Sequence, residues 1–113
     1  MNWIALTEEL QLDQIKEESK QQPVVIFKHS TRCATSAMAK NRLEREPTAD
    51  NTSFYFLDIL RYRPISNKIA EDFHVHHESP QVLIIKNGEC IYEESHNGIN
   101  MGDLIMELGI RNL

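Results

Sequence analysis

The residue types that chemistry needs are gathered in Lys28-His29-Ser30-Thr31-Arg32-Cys33-Ala34-Thr35-Ser36, directly after the apolar run Val24-Val25-Ile26-Phe27. The apolar run reads as a strand. The polar segment after it reads as the entry to a helix, with Ser30 or Thr31 as the expected cap. A thiol at a helix start lies beside unpaired N–H groups and the positive end of the helix dipole, which favour the thiolate, the reactive form of cysteine. Lys28, His29 and Arg32 add positive charge nearby. The ordinary fate of a lone cysteine is that of a small buried hydrophobe; the polar surroundings of Cys33 argue for a nucleophile instead.

Ser36 narrows the chemistry. In a Cys-x-x-Cys pair the second sulfur resolves a mixed disulfide within the same molecule. Here the fourth position is a hydroxyl, which can hydrogen-bond the Cys33 thiolate but cannot displace sulfur. A mixed disulfide on Cys33 should therefore persist until an outside thiol arrives. The other polar clusters carry less. His74, His76 and His77 hold a common metal-ligand type, but no carboxylate–histidine motif of fixed spacing accompanies them, and a polar loop entering a strand is the simpler reading. Arg61 and Arg63 beside Tyr62 suit an anion or, more simply, a solvated connection.

The elements that must position these groups follow from the rest of the sequence. With 113 residues, a single domain over 1–113 can bury a real core. The formal charge of −5 argues against non-specific nucleic-acid binding, which needs a basic face. No stretch approaches the roughly 20 apolar residues of a membrane span. Met1 to Glu9 has no basic region ahead of its apolar residues, so no signal peptide is expected. Two distant cysteines, Cys33 and Cys90, are no disulfide framework, and a reducing, cytoplasmic setting is predicted.

Trp3 to Leu6 suits a short edge strand, and Thr7 a cap for a helix reaching about Lys20. After the Val24 strand and the Cys33 helix, which should end near Arg45, Ser53 to Ile59 reads as a strand. Arg61 to Pro64 reads as a connection, and Ile65 to Phe73 as a helix. Val82–Lys86, Asn87-Gly88 and Glu89–Glu94 make a hairpin, Asn-Gly being the preferred pair for a type I′ turn. Asn100 to Leu108 is helical, with Gly109 as its C-terminal stop. That hairpin pairs Cys90 with Ile85, about five residues along the strand from Pro80. At ~3.3 Å per residue the separation is on the order of 16 Å, against the roughly 7 Å between Cα atoms that a disulfide allows. Cys90 is thus expected to have no redox role.

The order (β)α β α β α β β α, with helix-separated early strands and a late hairpin, gives an α/β protein with a central mixed sheet of four or five strands flanked by helices. It resembles the thioredoxin fold. In such folds a cis-proline stands where Ser79-Pro80 stands here, ahead of Gln81-Val82-Leu83-Ile84, and turns the backbone beside it toward the active sulfur for pairing with an extended substrate.

A closer resemblance covers most of the sequence, in order. Phe27 to Ser36, Arg63-Pro64-Ile65-Ser66-Asn67 with Ile69-Ala70-Glu71, His77-Glu78-Ser79-Pro80-Gln81, Asn87-Gly88-Glu89, and Ser95-His96 with Ile99 are similar to the YtxJ-like monothiol bacilliredoxins of bacillithiol-producing Firmicutes. The two residues after the cysteine, often Pro-Ile in that family, are Ala34-Thr35 here. The resemblance implies a thiol–disulfide oxidoreductase that takes bacillithiol from S-bacillithiolated proteins, with Cys33 as nucleophile, Ser36 as thiolate partner, and Ser79 and Pro80 facing the substrate. It implies no cofactor beyond bacillithiol as co-substrate. The carboxylates of bacillithiol make Lys28 and Arg32 the expected contacts. Two other readings stay open: an iron–sulfur carrier like the monothiol glutaredoxins, whose usual Cys-Gly-Phe-Ser is absent, and a thioredoxin-like interaction module without turnover.

Overall fold

The computed structural model describes residues 1–48 and 51–109. In chain order the elements are β1 (Trp3–Ala5), α1 (Leu10–Glu18), β2 (Val24–His29), α2 (Ala34–Arg45), β3 (Ser53–Asp58), α3 (Arg63–Phe73), β4 (Gln81–Lys86), β5 (Glu89–Ser95), a 3₁₀ turn at His96–Gly98, and α4 (Met101–Glu107). The strands form one five-stranded sheet in the order β1-β3-β2-β4-β5. β1 and β2 run parallel to β3, whereas β4 runs antiparallel to both β2 and β5. Each parallel partner is reached through a helical crossover, as parallel pairing demands.

All of β2 is buried, which explains its unbroken apolar run: helices cover both faces of the sheet there. Side chains alternate between those faces. Val24 and Ile26 pack with Leu12 and Ile15 of α1 and with Ile65, Ile69 and Phe73 of α3. Val25 and Phe27 pack with Ala39 and Leu43 of α2 and with Met101 and Leu104 of α4. Continuing the alternation sends Lys28 toward the α1/α3 layer and His29 toward the α2/α4 layer. Trp3 covers the second layer, stacking on Phe27 at 5.6 Å and donating its indole N–H to Glu44 at 2.7 Å.

The hairpin turns as its sequence requires. Asn87 (φ 52°) and Gly88 (φ 77°) both take the left-handed backbone of a type I′ turn. The turn is fastened to the end of α1, because the N–H groups of Asn87 and Gly88 donate to the carbonyl and hydroxyl of Ser19, each at 2.9 Å. Gly109 (φ 86°) follows α4 in the predicted stop conformation.

Three helix starts differ from expectation. Thr7 does not cap α1; the Gln11 side chain folds back and accepts from the N–H groups of Thr7 and Glu8 at 2.7 and 2.9 Å. Neither Ser30 nor Thr31 caps α2, whose N-cap is Cys33 itself. Arg63 and Pro64 belong to α3 and not to a connection, since a proline in the first helical turn forfeits no intrahelical hydrogen bond.

Candidate active site

The site begins where β2 leaves the sheet. Cys33 has extended backbone (φ −111°, ψ 118°) just ahead of the 12-residue α2. Its N–H donates to the Ser30 carbonyl and its own carbonyl accepts from Ala37 N–H, both at 3.1 Å. The thiol is free and half-buried. The first turn of α2 carries no acidic side chain, so the positive end of the helix dipole at Cys33 is not offset locally. Arg32 beside it is exposed.

Ser36, in the first turn of α2, has no exposed surface. Its hydroxyl accepts from Ser30 N–H at 3.1 Å and lies 2.6 Å from His29 Nδ1. The expectation of a hydroxyl directed at the sulfur is thus replaced by one that braces the corner between β2 and α2. His29 also departs from expectation. Burial, with the nearby Lys40 ammonium, holds its imidazole below the usual range, so at neutral pH it adds no positive charge. The pattern of β2 contained the clue: two residues after Phe27, His29 shares its face, under α2.

Lys28 was expected to meet a ligand, and the structure places it elsewhere. It has no exposed surface; its Nζ donates to Gln81 Oε1 at 3.1 Å, and Gln81 Nε2 donates to the His76 carbonyl at 3.0 Å. Burial pushes its pKa down to about 8, with Arg63 acting the same way and Glu78 opposing. Its charge acts on the site through the protein, not by contact.

The Ser79–Pro80 peptide bond is cis. Because Lys28 pairs with Gln81 across the sheet, the Pro80 turn and the Cys33 loop leave the sheet at the same end. The Pro80 carbonyl accepts from His96 N–H at 3.0 Å. Proline has no N–H, so of these two residues only Ser79 carries a backbone donor at this turn, and its hydroxyl oxygen is buried without a partner among the described residues. The neighbouring histidines have separate tasks. His74 ends α3 in left-handed backbone. His77 Nδ1 lies 3.3 Å from Ser66 Oγ, and burial together with the Lys28 charge lowers its pKa. His76 and His96 flank the Glu78 carboxylate at 3.7 and 3.5 Å. Among the described residues no group of three His, Cys, Asp or Glu side chains is arranged to hold a metal. Arg61 lies over the Tyr62 ring at 5.6 Å.

Cys90 pairs with Ile85 as expected, is free, and donates its thiol to the Tyr92 carbonyl at 3.2 Å. Burial pushes its pKa up. It is therefore a poor nucleophile at the opposite end of β4 from Pro80.

The family model described as monothiol bacilliredoxin BrxC matches residues 4–104. The chain belongs to the monothiol bacilliredoxin family. The bacilliredoxin is also similar to a solved structure described as a candidate oxidoreductase with a thioredoxin fold: 33% identity, TM-score 0.78, covering 92% of this chain and 91% of that one. Thioredoxins from Malassezia sympodialis (19% identity, TM-score 0.73) and Trypanosoma brucei brucei (16%, TM-score 0.72) each cover 95% of this chain, with 88% of their own chains matched, and show the same fold. The protein is a thiol–disulfide oxidoreductase on a thioredoxin fold, with the five-stranded form of the predicted mixed sheet and four flanking helices. Its partners belong to the bacillithiol system. No helix among the described residues is long and apolar enough to cross a membrane.

Proposed function

We propose that this bacilliredoxin removes bacillithiol from S-bacillithiolated proteins by one-cysteine exchange in the cytoplasm, without a bound cofactor. The observation that carries the reading is a free, half-buried Cys33 at the start of α2 with a serine, not a second cysteine, in the first turn. The Cys33 thiolate attacks the bacillithiol sulfur of the protein disulfide. That S–S bond breaks, the client protein leaves as a thiolate and takes a proton from water, and Cys33 carries the new disulfide. The thiolate of a second bacillithiol attacks the bacillithiol sulfur of that adduct, releasing bacillithiol disulfide and the Cys33 thiolate. Two electrons pass from the thiols to the client.

The exposed Arg32 and the free N–H groups at the start of α2 suit the carboxylates of bacillithiol. Ser79 offers backbone for an extended client segment. Intact-mass spectrometry on the reduced protein mixed with a bacillithiolated client tests the proposal, with Cys33→Ser alongside. The expected result is bacillithiol on the wild type, a freed client, and no transfer to the variant. A client that stays modified while Cys33 remains bare would overturn it, and visible absorption after anaerobic iron–sulfide reconstitution would then favour cluster carriage.

A further inference from the structure

The exchange chemistry leaves unused the Ser95-His96 pair with Ile99. The 3₁₀ turn they frame follows β5, and the pairing of Ser95 with Gln81 sets it beside the Pro80 turn. His96 grips that turn on both sides of Ser79. Its imidazole Nε2 lies 3.5 Å from Glu78 Oε1, and its N–H donates to the Pro80 carbonyl at 3.0 Å. In doing so His96 takes left-handed backbone (φ 55°), a conformation that costs free energy in a residue with a Cβ and persists where the surroundings hold it. Here α2 supplies the hold. The Arg42 guanidinium donates through Nε and Nη2 to the Ile99 carbonyl at 3.2 and 3.1 Å, and through Nη2 to the His96 carbonyl at 3.4 Å. Ile99 itself is fully buried, in the core it shares with Ala39 and Leu43 of the same helix.

We propose that Arg42 and His96 are positioning residues for the client: they form a clasp that ties the Ser79–Pro80 turn to the helix beginning at Cys33. This deepens the one-cysteine reading and rests on it, because the Ser79 backbone matters only when a polypeptide lies along it. Each link of the clasp is a contact in the structure. Arg42 of α2 reaches the His96 and Ile99 carbonyls, and His96 reaches both chain neighbours of Ser79. A charged donor binds a carbonyl more strongly than a neutral one. A planar guanidinium spanning two carbonyls also fixes their relative direction, which a lysine ammonium would not. The clasp acts on the turn and not on the sulfur. It therefore governs donors that present their disulfide from an extended segment, and it leaves the intrinsic reactivity of Cys33 alone.

The test compares two rates in wild type, Arg42→Met and His96→Gly: bacillithiol transfer to Cys33 from a bacillithiolated decapeptide, read by intact mass, and Cys33 alkylation by iodoacetamide. Hydrogen exchange of the His96 amide, in wild type and Arg42→Met, reports the clasp directly. Arg42→Met keeps an aliphatic stem and removes the donors. In it the His96 amide should exchange roughly tenfold faster, and peptide transfer should fall roughly three- to tenfold, the worth of one hydrogen bond from a charged group. That fall should come from a raised half-saturating peptide concentration, with alkylation unchanged. His96→Gly accepts left-handed backbone freely and lacks the Glu78 contact, so it should raise the same concentration, again with alkylation unchanged. An unchanged exchange rate, an unchanged peptide transfer, or an alkylation rate that falls in step with transfer overturns the proposal. A wild type that leaves the peptide modified is a different result: it overturns the one-cysteine reading, and the clasp is then judged by exchange alone, which needs no bacillithiol.

Discussion

Lys28 shows how much a single buried charge matters beside a reactive sulfur. Its pKa falls from 10.5 to about 8 in the folded protein because burial penalises the ammonium. Below pH 8 it is charged whether folded or not, and the fold bears the cost of burying that charge. Between about pH 8 and 10.5 the unfolded chain holds more protons than the folded one, so stability rises with pH across that window. Urea unfolding of wild type and Lys28→Met at pH 7, 8, 9 and 10 should show the wild type gaining on the variant above pH 8, by on the order of 1–2 kcal/mol at pH 10. Tyr55 sets the upper limit of the series. Burial and Glu18 push its pKa up to about 12, so its contribution is lost as pH climbs beyond 10. At this scale the sequence identifies Cys33 by residue type and neighbours. It does not reveal that Ser36 turns to His29 or that Lys28 turns to Gln81, because those directions depend on which helix covers which face of β2.

Helix starts are the least certain part of the sequence at the level of elements, and α4 shows what one is worth. Asn100 accepts from Asp103 N–H at 2.8 Å and donates to the Asp103 carboxylate at 2.9 Å and the Gly98 carbonyl at 3.2 Å. That cap seats Met101 and Leu104 in the core they share with α2. Asn100→Ala should lower the unfolding free energy by about 1 kcal/mol, read as an earlier urea midpoint with an unchanged slope. The strands, the Asn87-Gly88 turn and the Gly109 stop were legible because each needs a residue type that few positions supply. The starts of α1, α2 and α3 were not, because several polar residues lie near each and tertiary packing selects among them: Gln11 over Thr7, Cys33 over Ser30 or Thr31, and Arg63 ahead of Ile65.

At the scale of the molecule, the two cysteines lie at opposite ends of the β2–β4 ladder. Cys90→Ala should leave bacillithiol transfer to Cys33 unchanged, and oxidised wild type should show no internal Cys33–Cys90 bridge by peptide mapping; a bridge would mean a two-cysteine cycle. The sheet has two open margins. One is β1, of only three residues. The other is β5, which bears Glu89, Glu93 and Glu94 and breaks register with β4 at Ile84/Ile85. A short strand and a charged, irregular one are poor templates for another chain. An exchanger that repeatedly meets extended foreign polypeptides is exposed to stray polymerisation at such margins. Here growth along the sheet is blunted on both sides, so a visiting chain is not drawn into the sheet and can depart once its disulfide has been exchanged.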